Sequence, residues 1–227
     1  MLSAFVLTLT VKSQNLEGDL LKIAKNYTGM KDHIHLKMGY SVYMDTIVGE
    51  PKEYSEGESI MLSDSVQYQN MGVNEILYRA GITCIVDNEA KTIVVTNTMS
   101  EGGLLNKQTQ VDTALVRLFN VTKFKKKKTK STYYLAAKHN AKNTMSLTFD
   151  NTNYRILQMT TKYAIAVEDE EGNSAYPILV VDIKEQTITS EFYSEKTRLE
   201  YFIDRSDKEN IKPAIRYKGY KLQSLLN

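Results

Sequence analysis

The sequence predicts an α+β fold that is mostly antiparallel β, a long sheet curling around a few amphipathic helices. Three observations carry this. Short stretches with apolar residues at every second position recur along the chain, separated by polar turns. Only two stretches have helical spacing, and they do not alternate with the strands, which disfavours a parallel sheet. The aromatic content is 15 Tyr and 6 Phe with no Trp, and Tyr, an apolar body with a polar tip, suits half-buried strands.

Taken in order, Leu2 to Val11 is a short apolar run followed by Lys12, Ser13, Gln14 and Asn15. It is too short to span a bilayer, which takes about 20 residues. It fits the apolar core of an export signal, or an N-terminal strand in which Phe5, Leu7, Leu9 and Val11 alternate with Ala4, Val6, Thr8 and Thr10. The signal reading makes residues 1–14 the remnant of a leader and 15–227 one domain. Leu16, Leu20, Ile23, Ala24 and Tyr27 then share a helical face, with Glu17, Asp19, Lys22 and Lys25 turned to water. After Thr28 and Gly29, Ile34, Leu36, Met38, Tyr40 and Val42 alternate as the dry face of a strand. Ser59 to Met71 is weaker strand material between Gly57 and Gly72. Ile76, Tyr78, Ala80, Ile82, Cys84 and Val86 continue the alternation, and a turn at Asp87 to Lys91 leads into Thr92 to Thr96 as a hairpin.

A second helix is expected at Leu104 to Phe119, with Val111, Ala114, Leu115, Leu118 and Phe119 on one face. Beyond it, strands are expected at Thr132 to Ala137, Met145 to Phe149, Tyr154 to Met159, Tyr163 to Val167, Pro177 to Ile183 and Thr187 to Tyr193. No Gly/Ser/Pro-rich linker divides the chain, so one domain is expected, as a monomer.

Composition excludes several function classes. With 29 Lys and Arg against 27 Asp and Glu, the net charge is +2, too small to imply nucleic acid as a partner. The lone Cys84 excludes an internal disulfide, a cysteine metal cluster and a CxxC motif. It alternates with Ile82 and Val86, which places it in the core. The chain has no phosphate-cradling glycine loop, GxSxG elbow or HExxH motif, so no enzyme and no cofactor is expected.

Candidate sites remain. Lys123, Phe124, Lys125, Lys126, Lys127, Lys128, Thr129 and Lys130 could contact an anionic surface, above all membrane lipid, or form a solvated loop that blunts a sheet edge. His33 and His35 share the wet face of a strand, and a metal site would need a third ligand from His139 or a distant carboxylate, so no metal is expected. Glu168, Asp169, Glu170, Glu171 and Gly172 resemble a turn more than a calcium loop. The distributed apolar surface of Leu36, Met38, Tyr40, Val42, Ile76, Tyr78 and Ile82 is either core or the lining of a cavity for an apolar ligand.

Gly18-Asp19-Leu20-Leu21-Lys22 in the first helix, Ile85-Val86-Asp87 with Lys91-Thr92-Ile93 in the hairpin, Met145-Ser146-Leu147-Thr148-Phe149-Asp150 with Tyr154-Arg155-Ile156, and Tyr217-Lys218-Gly219-Tyr220 near the end carry a resemblance. With the order of elements, the chain resembles the outer-membrane lipoprotein carrier family of the periplasm, in particular its divergent Bacteroidetes-type members. The resemblance implies an incomplete β-barrel with amphipathic helices forming a lid over an apolar cavity. It also implies a non-enzymatic role, transport of lipoprotein acyl chains or other lipid. The competing expectation is an envelope module that senses or tethers a protein partner without carrying cargo.

Overall fold

The computed structural model describes residues 16–27, 33–63, 66–97, 118–168, 172–189, 194–207 and 210–226. The expected leader, residues 1–14, and nearly all of the expected second helix lie outside them. Helix α1 (Leu16–Lys25) is followed by β1 (His33–Met44), β2 (Glu53–Ser63), β3 (Val66–Met71), β4 (Asn74–Arg79), β5 (Ile82–Asp87) and β6 (Thr92–Asn97). Then come β7 (Phe119–Lys126), β8 (Lys130–Ala137), β9 (Thr144–Asp150), β10 (Ile156–Lys162), β11 (Val167–Glu168), β12 (Ser174–Ala175) and β13 (Pro177–Thr189). The chain ends in three 3₁₀ turns, Glu195–Thr197, Leu199–Tyr201 and Ile215–Tyr217, among β14 (Ile203–Asp204), β15 (Lys212–Pro213) and β16 (Lys221–Leu225).

Twelve strands make one open sheet in the order β16-β6-β5-β4-β3-β2-β1-β13-β10-β9-β8-β7, with β16 and β7 as its edges. Neighbours pair antiparallel except β16, which runs parallel to β6. The mostly antiparallel, open sheet agrees with the sequence. A lid of helices is not seen among the described residues, where α1 is the only helix longer than a 3₁₀ turn.

Several elements differ from expectation for local reasons. Ile76 to Val86 is not one strand but the hairpin β4–β5. Ala80 (φ 50°) and Gly81 (φ 76°) supply the two left-handed residues of a tight turn. The 59–71 stretch is two strands, and β2 begins early, in the polar run from Glu53. There Gly57 has a packing role: a Cβ on it would lie 2.3 Å from the Asn70 carbonyl oxygen and 2.7 Å from the Tyr40 ring. Gly57→Ala is therefore expected to lower stability by about 1–3 kcal/mol in urea unfolding.

The lysine-rich stretch is edge strand β7 and its turn rather than a loop, and Phe119 opens that strand instead of closing a helix. Tyr154 sits in a turn at φ 57°, so β10 starts two residues later than expected. Of Tyr163 to Val167 only Val167 is in a strand. The strands expected at 177–183 and 187–193 are one, β13. Its register slips opposite Lys37 and Met38, where Lys184 is the extra residue, and residues 190–193 lie outside the described set.

Strand pairing divides the sheet's side chains between two faces. On one face, α1 lays Leu16, Leu20 and Ile23 against Tyr133, Leu135, Leu147 and Phe149. Beside them Ile34, Leu36 and Met38 of β1 pack with Val181. On the opposite face, over β2 to β6, the C-terminal segment contributes Leu199, Phe202, Ile203, Ala214 and Tyr217 to a core with Ile60, Tyr68, Leu77, Cys84, Val86, Ile93 and Val95. The two halves of the sheet are thus covered from opposite sides.

Polar contacts fix the C-terminal segment. Buried Glu75 accepts hydrogen bonds from the hydroxyls of Tyr68 (2.8 Å) and Tyr217 (3.0 Å) and from Asn88 Nδ2 (3.2 Å). Arg79 Nη1 donates to the Thr197 carbonyl at 2.6 Å. Lys196 pairs with Glu58, which also contacts His35 Nε2 at 3.1 Å. Burial alone would raise the Glu58 carboxyl, but Lys196 and then His35 outweigh it and hold it below the usual carboxylate range. The contribution of this tether is present above the unfolded-state carboxylate pKa and is lost as pH falls through the lower folded value. The stability of the wild type minus that of Glu58→Gln is accordingly expected to shrink on acidification below about pH 4.5.

Cys84 is fully buried, and desolvation pushes its thiol up to about 12. It is expected to resist a thiol reagent at pH 8 in the folded protein and to react once the protein is denatured.

Candidate functional site

Pairing places each predicted cavity residue. Leu36, Met38, Tyr40 and Val42 project to the α1 side of β1 and oppose Ser59, Gly57, Ser55 and Glu53 on β2. Following the register from Met61 to Gln67 on β3 and then to Tyr78 on β4, with Gln69 leading to Ile76, keeps to that same side. Six of the seven residues therefore share one face. The seventh, Ile82, does not. The β4–β5 turn pairs Arg79 with Ile82, so the even-numbered positions change side between the two strands. Ile82 packs in the core beneath the C-terminal segment.

Leu36 and Met38 are buried, whereas Tyr40, Val42, Ile76 and Tyr78 are half-buried. Desolvation raises the phenols of Tyr40 and Tyr78, so both remain neutral, amphipathic groups at physiological pH. The face extends across β5 and β6 to Ile85, which is 38% exposed, and Val94. Ile76, Tyr78 and Ile85 belong to none of the three buried clusters.

Two features of this face were not legible in the sequence. Gln67 is only 2% exposed, and among the described residues neither its buried Oε1 nor the buried Nε2 of Gln186 has a hydrogen-bond partner. Both lie on the α1 side, Gln67 opposite Met61 and Tyr78 and Gln186 opposite Leu36. Gln186 Oε1 accepts from the Tyr27 hydroxyl at 3.1 Å, and that hydroxyl in turn accepts from the Ile156 amide at 2.9 Å. The end of α1 is thereby tied to the sheet beside Leu36.

The histidines do not converge. His33 Nδ1 lies 2.8 Å from the Leu62 carbonyl oxygen, His35 faces Glu58, and His139 is in the loop after β8 at the other end of the sheet. Among the described residues no group of three His, Cys, Asp or Glu side chains is arranged to hold a metal ion. Of the acidic turn, Glu168 pairs with Ser174, and Asp169 to Glu171 lie outside the described residues.

The lysines separate. Lys123 and Lys125 project from β7 away from α1, opposite Tyr134 and Thr132, while Lys126 opposes Ser131 on the α1 side. Lys127 and Lys128 belong to the turn, which Asn151 Nδ2 holds by donating to the Lys127 carbonyl at 2.7 Å. Charged groups along an edge strand also discourage pairing with another chain. No helix among the described residues is long and apolar enough to cross a membrane.

No protein-family model matches the chain, and no curated protein matches it. Several solved structures align with it. An uncharacterised conserved protein from Thermus thermophilus is 10% identical over 93% of this chain and 99% of its own, with a TM-score of 0.48. A LolA superfamily protein from Nitrosomonas europaea is 9% identical over 82% of this chain and 99% of its own, with a TM-score of 0.35. A chain of the Pseudomonas aeruginosa MucA/MucB complex is 10% identical over 81% of this chain and 60% of its own, with a TM-score of 0.43.

Proposed function

We propose that the chain is a non-enzymatic carrier that takes an acyl chain or similar apolar cargo against the α1 face of its sheet. The observation that carries this is the shared face of Leu36, Met38, Tyr40, Val42, Ile76 and Tyr78, with Gln67 and Gln186 offering buried polar atoms that lack partners among the described residues. An apolar surface with a few polar groups is the usual chemistry of a site for an amphiphile. Flexible Met38 and amphipathic Tyr40 and Tyr78 adapt to a chain without fixed shape. Each methylene removed from water contributes about 0.8 kcal/mol, so even one acyl chain gives substantial affinity. The cargo class is lipoprotein acyl chains or other lipid, and the compartment is the periplasm. The sequence resemblance and the apolar run Leu2 to Val11 support that placement.

The test is gentle purification followed by native mass spectrometry, with uptake of a fluorescent fatty acid by the stripped protein. Co-purified lipid at a fixed stoichiometry and saturable uptake are expected. A protein that is free of lipid and takes up none contradicts the carrier reading.

A second reading has one observation of its own. Val48 (80% exposed) in the β1–β2 loop and Ile165 (79% exposed) after β10 lie at the same end of the sheet. Lys162 Nζ, at the end of β10, donates to the Asp45 carbonyl at the start of the β1–β2 loop at 3.1 Å. Exposed apolar loop tips suit contact with a protein partner. Under that reading Val48→Ser with Ile165→Ser abolishes partner recovery from envelope extract and leaves fatty-acid uptake unchanged.

A further inference from the structure

On the sheet face opposite α1, pairing aligns Lys125, Thr132, Thr148, Gln158 and Asp182 in one row across β7, β8, β9, β10 and β13. Tyr134 and Ser146 form the next row. These residues, with Lys127, Lys130 and Leu157, line a half-open cavity of about 320 Å³. Five consecutive strands thus present polar side chains where a buried sheet would carry aliphatic ones. The β10 irregularity between Ile156 and Gln158 leaves Leu157 as the one aliphatic wall. Lys125 extends over the Tyr134 ring, 5.4 Å from its centroid. Among the described residues none of Lys125, Lys127 and Lys130 forms an ion pair.

The far end of the row has the opposite character. Gln158 Nε2 donates to Asp182 Oδ1 at 2.7 Å, which leaves Asp182 Oδ2 able to accept from a ligand. Thr132 and Thr148 hydroxyls lie 3.0 Å apart between the two ends. Three ammonium groups without a carboxylate partner select an anion with several oxygens, and a carboxylate some strands away selects hydroxyl hydrogens. A simple anion uses only the first half of the row.

We propose that this cavity binds a phosphorylated polyol, the phosphoryl group on Lys125, Lys127 and Lys130 and the hydroxyls toward Asp182. The site lies on the other face from the apolar surface and does not depend on the carrier reading. The phosphoryl polyol comes either from a phospholipid headgroup or from a free polyol phosphate.

The test titrates the full chain calorimetrically with sn-glycerol 3-phosphate, inorganic phosphate and glycerol, and measures co-sedimentation with phosphatidylglycerol vesicles. The variants are K125Q/K127Q/K130Q and, as an equal change in charge outside the cavity, K123Q/K126Q/K128Q. Glycerol 3-phosphate is expected to bind more tightly than inorganic phosphate, and glycerol not at all. The first triple variant is expected to lose about tenfold or more in affinity, in line with charge-assisted hydrogen bonds, and the second less than about twofold. D182N is expected to weaken glycerol 3-phosphate and leave inorganic phosphate unchanged. Vesicle binding lost only in the first triple supports the site with a lipid headgroup as source. Retained glycerol 3-phosphate binding without vesicle binding supports it with a soluble source. Equal losses in both triples, or no binding of glycerol 3-phosphate by the folded wild type, overturn the proposal.

Discussion

Replacing Phe202 by alanine is expected to destabilise the protein by about 3–5 kcal/mol, the usual cost of emptying a buried aromatic site. Phe202 has no exposed surface. Its ring stacks on Tyr217 with centroids 5.9 Å apart and meets Tyr68 at 6.2 Å. Because one ring belongs to the sheet and two to the C-terminal segment, the loss falls on the contact between them. Tyr217 also reaches Glu75, so the variant loosens a buried carboxylate from one of its hydroxyl partners as well. Tyr217→Phe isolates that second effect: it keeps the packing, removes one donor from Glu75, and is expected to cost about 1–3 kcal/mol. Chemical unfolding of the two variants, compared with the wild type, separates packing from hydrogen bonding.

The second large effect concerns cargo. Ile76→Asp together with Tyr78→Asp is expected to reduce fatty-acid affinity at least about tenfold while the chain remains folded. Both side chains are half-buried and lie outside the three buried clusters, so carboxylates there keep access to water in the free protein. Against an acyl chain the same carboxylates would be desolvated or would displace the chain from the face, and either costs more than a kilocalorie per mole. Ile85→Asp, on the same face one strand further out, is expected to weaken uptake in the same direction. Thr187→Asp on the opposite face of β13, where Thr187 pairs with His35, serves as a control that leaves uptake unchanged.

Much of this architecture was legible because two-residue periodicity survives in β1, β5, β6, β8 and β9, where β-branched and aromatic residues alternate with polar ones. The helical spacing of Leu16, Leu20 and Ile23 located α1 for the same reason. Where prediction failed, the local signal was missing. Glu53 to Glu58 contains three carboxylates and a glycine but forms half of β2, because it pairs along its whole length with β1 and, from Gly57 on, with β3 as well. Ala80-Gly81 hid a hairpin turn, since alanine is rarely asked to adopt positive φ. That single omission misplaced Ile82, because a tight turn between paired residues reverses the parity of every position after it.

The polar row from Lys125 to Asp182 could not have been read in advance. It is assembled from one residue on each of five strands, β7 to β10 and β13, and only the register of their pairing aligns them. The unsatisfied amides of Gln67 and Gln186 are likewise visible only after burial is known.

Apolar cargo, on the reading proposed above, lies against the α1 face of the sheet. Photo-cross-linking with a diazirine-bearing palmitate, followed by peptide mapping, tests it most directly. Adducts are expected to concentrate on β1 between His33 and Met44 and on β4 between Asn74 and Arg79, and to be suppressed by unlabelled palmitate. Adducts confined to the exposed loop tips around Val48 and Ile165, or spread evenly and indifferent to competitor, would contradict it.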